Sequence, residues 1–135
     1  MNNGIEILLI NATPHEQDIF SFALNDLHMR YTCRFANNIK DAAKKMSTII
    51  PDYVFIDLKQ TQPGKFINLK QIRKITRFKN PRVIVRAEDN TTVSSDKALQ
   101  LGACMCINKT SMISDLIFML KEILVKNNSI PALHN

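Results

Sequence analysis

Two residues in this chain stand where a carboxylate and an ammonium could meet and do chemistry. Asp57 closes the apolar run Tyr53-Val54-Phe55-Ile56, and Lys109 follows Met105-Cys106-Ile107 after a single asparagine. A carboxylate there can pair with a cation or accept hydrogen bonds, and a lysine ammonium supplies such a cation. Arg86, behind Val83-Ile84-Val85, offers a second cation, and Asn11-Ala12 follows the apolar run Ile5-Glu6-Ile7-Leu8-Leu9-Ile10. Other chemistries lack their parts. His15, His28 and His134 have no metal-ligand spacing, so solvent-facing roles are expected. No G-x-G-x-x-G or Walker pattern occurs, and the Asn11-Ala12-Thr13-Pro14 loop has no glycine to cradle a phosphate. No Ser-His-Asp or Cys-His arrangement is visible.

The elements that must position these residues are legible from periodicity. The run from Ile5 to Ile10 reads as a strand buried on both faces of a parallel sheet. Thr13-Pro14-His15-Glu16 is a helix start, with Thr as N-cap, Pro first and Glu third, ahead of Ile19, Phe20, Ala23, Leu24 and Leu27. Arg30 to Phe35 is a weaker strand. Asn38 caps a helix carrying Ile39, Ala42, Ala43, Met46 and Ile49-Ile50, which Pro51 is expected to end. Tyr53 to Ile56 is a strand ending in Asp57. A loop at residues 60–64 leads to a basic helix with Phe66, Leu69, Ile72 and Ile75 on one face.

Val83-Ile84-Val85 is a fourth strand. A polar loop at residues 88–92 opens a helix with Val93, Ala98, Leu99 and Leu101, closed by Gly102. Met105-Cys106-Ile107 is a fifth strand, and Ser111 caps a last helix with Met112, Ile113, Leu116, Ile117, Leu120 and Leu124. Alternating strands and helices with short loops imply an α/β fold: a doubly wound, flavodoxin-like, five-stranded parallel sheet of order 2-1-3-4-5 with helices on both faces. Sites in such folds lie beyond the carboxyl ends of the strands, here Asn11, Asp57, Arg86 and Asn108-Lys109.

At these positions the chain resembles the receiver (CheY-like) family of response regulators. The resemblance rests on Phe55-Ile56-Asp57, on Pro81-Arg82-Val83-Ile84-Val85-Arg86-Ala87, and on Leu99-Gln100-Leu101-Gly102-Ala103 followed by Lys109. It implies that Asp57 matches the phosphoacceptor and Lys109 the phosphate-pairing lysine. The family's magnesium-binding acidic pair is replaced by Asn11 and Ala12, its hydroxyl by Arg86, and its switch aromatic by Cys106. The proline after the lysine is Thr110, and Met-Pro beyond the aspartate is Gln60-Thr61.

Magnesium needs hard, anionic oxygen ligands. Counting formal charges at the matched positions, one negative (Asp57) faces two positives (Lys109 and Arg86), so magnesium binding is expected to be lost and no other cofactor is implied. Arg86 either pairs with Asp57, keeping the carboxylate ionised, or folds out to solvent; an arginine fork suits the pairing. Phosphorylation of Asp57 is not expected to drive this protein, and any transfer that occurs is expected to be magnesium-independent. With Cys106 for the aromatic, the hydroxyl–aromatic switch has no parts.

The composition, 45% apolar and 22% charged, is that of a globular domain. One receiver-like domain over residues 1–128 and a short tail over 129–135 are expected. Three cysteines, Cys33, Cys104 and Cys106, read as small buried hydrophobes in a reducing compartment. With no signal peptide and no apolar stretch near the ~20 residues that span a bilayer, a cytoplasmic location without membrane contact is expected. The net charge is +6, and every charged residue from Lys59 to Arg86 is basic. The expected function is a stand-alone, non-enzymatic signalling module in a phosphorelay, meeting a sensor kinase or downstream protein by direct contact. The alternative is binding of nucleic acid or an acidic partner through the Lys59–Arg86 stretch.

Overall fold

The computed structural model describes residues 4–58, 70–74, 81–87, 96, 98–109 and 112–126. Its strands are β1 (Ile5–Ile10), β2 (Tyr31–Ala36), β3 (Tyr53–Leu58), β4 (Arg82–Ala87) and β5 (Met105–Asn108). They pair in parallel in the order β2-β1-β3-β4-β5, the flavodoxin-like order expected from the alternation of elements. The helices are α1 (Pro14–Asp26), α2 (Ile39–Met46) and α3 (Ile113–Leu120), the last running on into a π-helical segment at Lys121–Lys126. Residues 70–74 and 98–100 are also helical.

Because side chains alternate across a strand, the sheet separates two cores. Leu8, Ile10, Val54, Ile56, Val83 and Val85 meet Ala42 and Met46 of α2, with Ile72 and Ala98, on one face. Ile7, Leu9, Tyr53, Phe55 and Ile84 meet Phe20, Ala23 and Leu24 of α1 and Leu116 and Leu120 of α3 on the other. Asp57 and Arg86 share the parity of Phe55 and Ile84, so their side chains leave the sheet on the α1–α3 face.

The start of α1 follows the sequence: Thr13 caps it, its side chain accepting from Glu16 N–H, while the Glu16 carboxylate accepts from Thr13 N–H. Several boundaries differ from expectation. The second strand runs one residue later, because its ladder pairs Ile5 with Tyr31 and Ile10 with Ala36. Helix α2 stops at Met46 and does not reach Ile50. There the Ser47 and Thr48 hydroxyls donate to the carbonyls of Lys44 and Lys45, competing with the helical ladder.

Strand β3 continues through Asp57 to Leu58, so the aspartate lies within the strand. Cys104 precedes β5 and is exposed, and Cys33 and Cys106 are half-buried, so the three are not the buried set that was expected. Leu99, Met112 and Ile113 are exposed. Met112, without a side-chain cap hydrogen bond, is the N-cap of α3. The expected loops at 60–64 and 88–92, core positions Phe66, Leu69, Ile75 and Val93, the Ser111 cap and the 129–135 tail lie outside the described residues.

Candidate functional site

Sheet register brings the chemistry-bearing residues together. Asp57 and Arg86 are direct partners across β3 and β4, in strands ~4.8 Å apart. Lys109 leaves the sheet just beyond β5, its backbone N–H donating to Ala87 O at 2.8 Å. Asn11 follows β1 with φ 71°, a left-handed conformation that asparagine tolerates, and its Nδ2 donates to Asp57 O at 3.4 Å. Ala12 is buried against α1 and the α3 face and supplies only a methyl wall.

The pocket these residues form is closed by ion pairs. Asp57 is fully buried and Arg86 is 4% exposed. Arg86 Nη1 lies 3.3 Å from Asp57 Oδ1, and Lys109 Nζ lies 3.4 Å from Asp57 Oδ2. The guanidinium also lies over the Phe20 ring, 5.3 Å from its centroid, and Phe20 in turn meets Phe55 edge-on at 5.1 Å. Of the two expectations for Arg86, pairing is therefore the one observed. The pairs are not well-aligned hydrogen bonds: both Asp57 oxygens and Arg86 Nε and Nη1 lack a hydrogen-bond partner among the described residues.

A fourth charged group was not anticipated. Glu16, read in the sequence only as the third residue of a capping box, also contacts Lys109: its Oε2 is 2.5 Å from Lys109 Nζ. The expected count of one negative against two positives is thereby corrected to two against two. Helical phase gave no warning, because one carboxylate serves the cap with one oxygen and the pocket with the other.

The protonation equilibria follow this geometry. Burial pushes the Asp57 carboxyl above its ordinary value; Arg86 and Lys109 oppose the rise and Glu16 adds to it. Burial also works to raise Glu16, but Lys109 and the Thr13 N–H outweigh it and hold the carboxyl at about 2. Lys109, which burial alone would lower, is raised by Glu16 and Asp57. Away from the site, burial pushes the Cys33 thiol up to about 12, leaving it protonated and a poor nucleophile at neutral pH.

A magnesium site needs carboxylate or other hard oxygen ligands near octahedral geometry, and these residues do not fit one. Asn11 and Ala12 contribute no carboxylate, and a guanidinium stands against one Asp57 oxygen and an ammonium against the other. Cys106, half-buried, packs on the opposite core with Leu8 and Val85. The matched Gln60-Thr61 and Thr110 lie outside the described residues. Within the basic stretch, Arg86 is committed to Asp57 and Arg73 Nη1 donates to Pro81 O at 3.3 Å. These two cations of the stretch are thus used inside the fold.

No protein-family model matches the sequence, and no curated protein matches it. Solved structures similar to the chain include response regulators and their receiver domains. A two-component response regulator from Clostridium difficile superposes with TM-score 0.73 at 20% identity, over 92% of this chain and 98% of that one. The signal receiver domain of a DNA-binding response regulator from Colwellia psychrerythraea 34H gives TM-score 0.71 at 23% identity, over 90% and 99%. The chemotaxis response regulator CheY4 of Vibrio cholerae gives 0.73 at 17%, over 89% and 98%. At these identities the likeness establishes a shared receiver fold.

Proposed function

We propose that this chain is an atypical response-regulator receiver that works by protein–protein contact, its pocket set by internal ion pairs in place of magnesium-dependent phosphorylation. The observation that carries this reading is the Arg86–Asp57–Lys109 arrangement: both oxygens of the matched acceptor carboxylate face a cation of the chain itself, the buried Arg86 on one side and the half-buried Lys109 on the other. Phosphoryl transfer depends on positioned positive charge, and here that charge is already spent on the carboxylate. Asp57 is also fully buried, so an incoming phosphodonor would have to displace Arg86 or Lys109 first.

Contact with a sensor kinase or a downstream signalling protein is the natural output of a receiver fold with this pocket. The surface of β5 and α3 suits such contact. Met105, Ile107, Phe118, Met119, Glu122 and Ile123 line an open, mostly apolar cleft of about 270 Å³, in which Phe118 is 64% exposed. Magnesium has no role in this reading, and neither do nucleic acids. No helix among the described residues is long and apolar enough to cross a membrane.

Intact mass after incubation with a small acyl phosphate, with and without magnesium, tests the reading, with Asp57→Asn as control. The expected result is no phosphoryl adduct under either condition. A magnesium-dependent adduct that is absent from Asp57→Asn would overturn it.

A further inference from the structure

We infer that Glu16 couples the charge state of Asp57 to the N-terminus of α1, with Lys109 as the moving part. Glu16 is engaged at both oxygens: Oε1 accepts from Thr13 N–H at 2.8 Å, and Oε2 meets Lys109 Nζ at 2.5 Å. The same ammonium lies 3.4 Å from Asp57 Oδ2. One cation is thus shared by the carboxylate that caps a helix and the carboxylate at the centre of the pocket. It sits closer to the cap.

The charged groups around this ammonium come from four elements. Glu16 belongs to α1, Asp57 to β3 with Arg86 of β4 on its other oxygen, and Asp115 of α3 lines a cleft with Lys109. Attraction between charges at a few ångströms is strengthened beside a buried group such as Asp57, so the ammonium follows the larger negative charge. Neutralising Asp57 leaves Lys109 wholly on Glu16, and the capping box is held at both of its hydrogen bonds. Extra negative charge at Asp57 draws Lys109 across and leaves Glu16 tethered by Thr13 alone. The first turn of α1 then loosens. A receiver-like pocket lacking the hydroxyl and aromatic switch residues at Arg86 and Cys106 thereby keeps a route from Asp57 to its surface.

Glu16 acts here as a positioning residue. The coupling deepens the pocket reading above and rests on it only in taking Asp57 as the centre of the site. Amide hydrogen exchange at Thr13 and Glu16 reads it with no partner and no phosphodonor present, so either idea can fail while the other stands.

The Asp57→Asn variant is expected to slow Thr13 exchange, and Lys109→Met to speed it, each by about threefold or more, the range set by loss of a helix cap. In a Glu16→Gln background, Asp57→Asn is expected to leave Thr13 exchange unchanged. Amides of β1 serve as the internal reference for global opening. Should Lys109→Met not fold, the Asp57→Asn comparison with and without Glu16→Gln decides the matter. Exchange at Thr13 that ignores Asp57→Asn, or that responds equally in the Glu16→Gln background, would overturn the coupling.

Discussion

An ionised carboxylate taken out of water loses several kcal/mol of solvation unless nearby cations replace it, and Asp57 is fully buried between Arg86 and Lys109. Its raised pKa means that the folded state favours the protonated carboxyl. That preference adds stability below the ordinary carboxylate range and is lost as pH rises through the folded pKa. Removing a partner sharpens the effect. Arg86→Met is expected to cost up to about 3 kcal/mol at pH 7, the low end of the penalty for breaking a buried ion pair, because Lys109 still faces the other Asp57 oxygen. The cost should shrink as pH falls and Asp57 protonates, and urea denaturation at pH 7 and pH 5 measures the difference. An equal loss at both values would mean that packing on Phe20, and not charge, is what Arg86 supplies.

Glu16 runs the other way. Held at about 2 against an ordinary 4.5, it contributes stability that is present above pH 4.5 and lost as pH falls through about 2. Since the side chain is partly open to solvent, screening limits its worth to about 1 kcal/mol. Glu16→Gln is expected to be destabilised by that amount at pH 7 and to match the parent near pH 2. Asp57, Lys109 and Arg86 were legible in the sequence because strand ends and sheet register dictate where they meet. Glu16 was not, since its second contact is made by a flexible side chain whose sequence position was already explained by a cap.

Backbone conformation decides the outcome at the element scale. Gly4, at φ +93°, precedes β1, and a Cβ there would lie 2.6 Å from the backbone of Arg30. Gly102, at φ +107°, closes the helical turn at 98–100, and a Cβ there would meet the Arg73 side chain at 3.0 Å. Backbone cannot yield as a long side chain can. Gly4→Ala is therefore expected to cost clearly more than Gly102→Ala, for which the ~1–2 kcal/mol of left-handed strain dominates; thermal melts of the two variants rank them.

Helix α3 offers the opposite opportunity. Met112 has N-cap backbone geometry, an exposed side chain and no side-chain cap hydrogen bond, so Met112→Asp is expected to add about 1 kcal/mol. The start of α1 was readable because Thr13, Pro14 and Glu16 each favour one position in a first turn. The end of α2 was misread because the apolar pair Ile49-Ile50 continues the helical period, while the hydroxyls of Ser47 and Thr48 had already turned to the last carbonyls.

For the molecule as a whole, strand order followed from alternation alone, since five β–α units with short connections leave few ways to cover a parallel sheet. That order set β1, β3 and β4 side by side and so gathered Asn11, Asp57 and Arg86. The expectation that a divalent cation is excluded belongs to this scale, because it depends on four elements delivering charges of both signs to one place. With Glu16 included the charges balance without a metal, so the expectation rests on the pairing of both Asp57 oxygens with Arg86 and Lys109 and no longer on an excess of positive charge.

The most direct measurement is a magnesium titration followed through the backbone amides of Asn11, Asp57 and Lys109, with sodium chloride at matched ionic strength as reference. The parent protein is expected to show no saturable shift. The combined Asn11→Asp, Ala12→Asp and Arg86→Thr variant is expected to acquire one; aspartate tolerates the left-handed backbone at position 11. Saturable shifts at these amides in the parent would contradict the account, for they would mean that magnesium displaces Arg86 from Asp57.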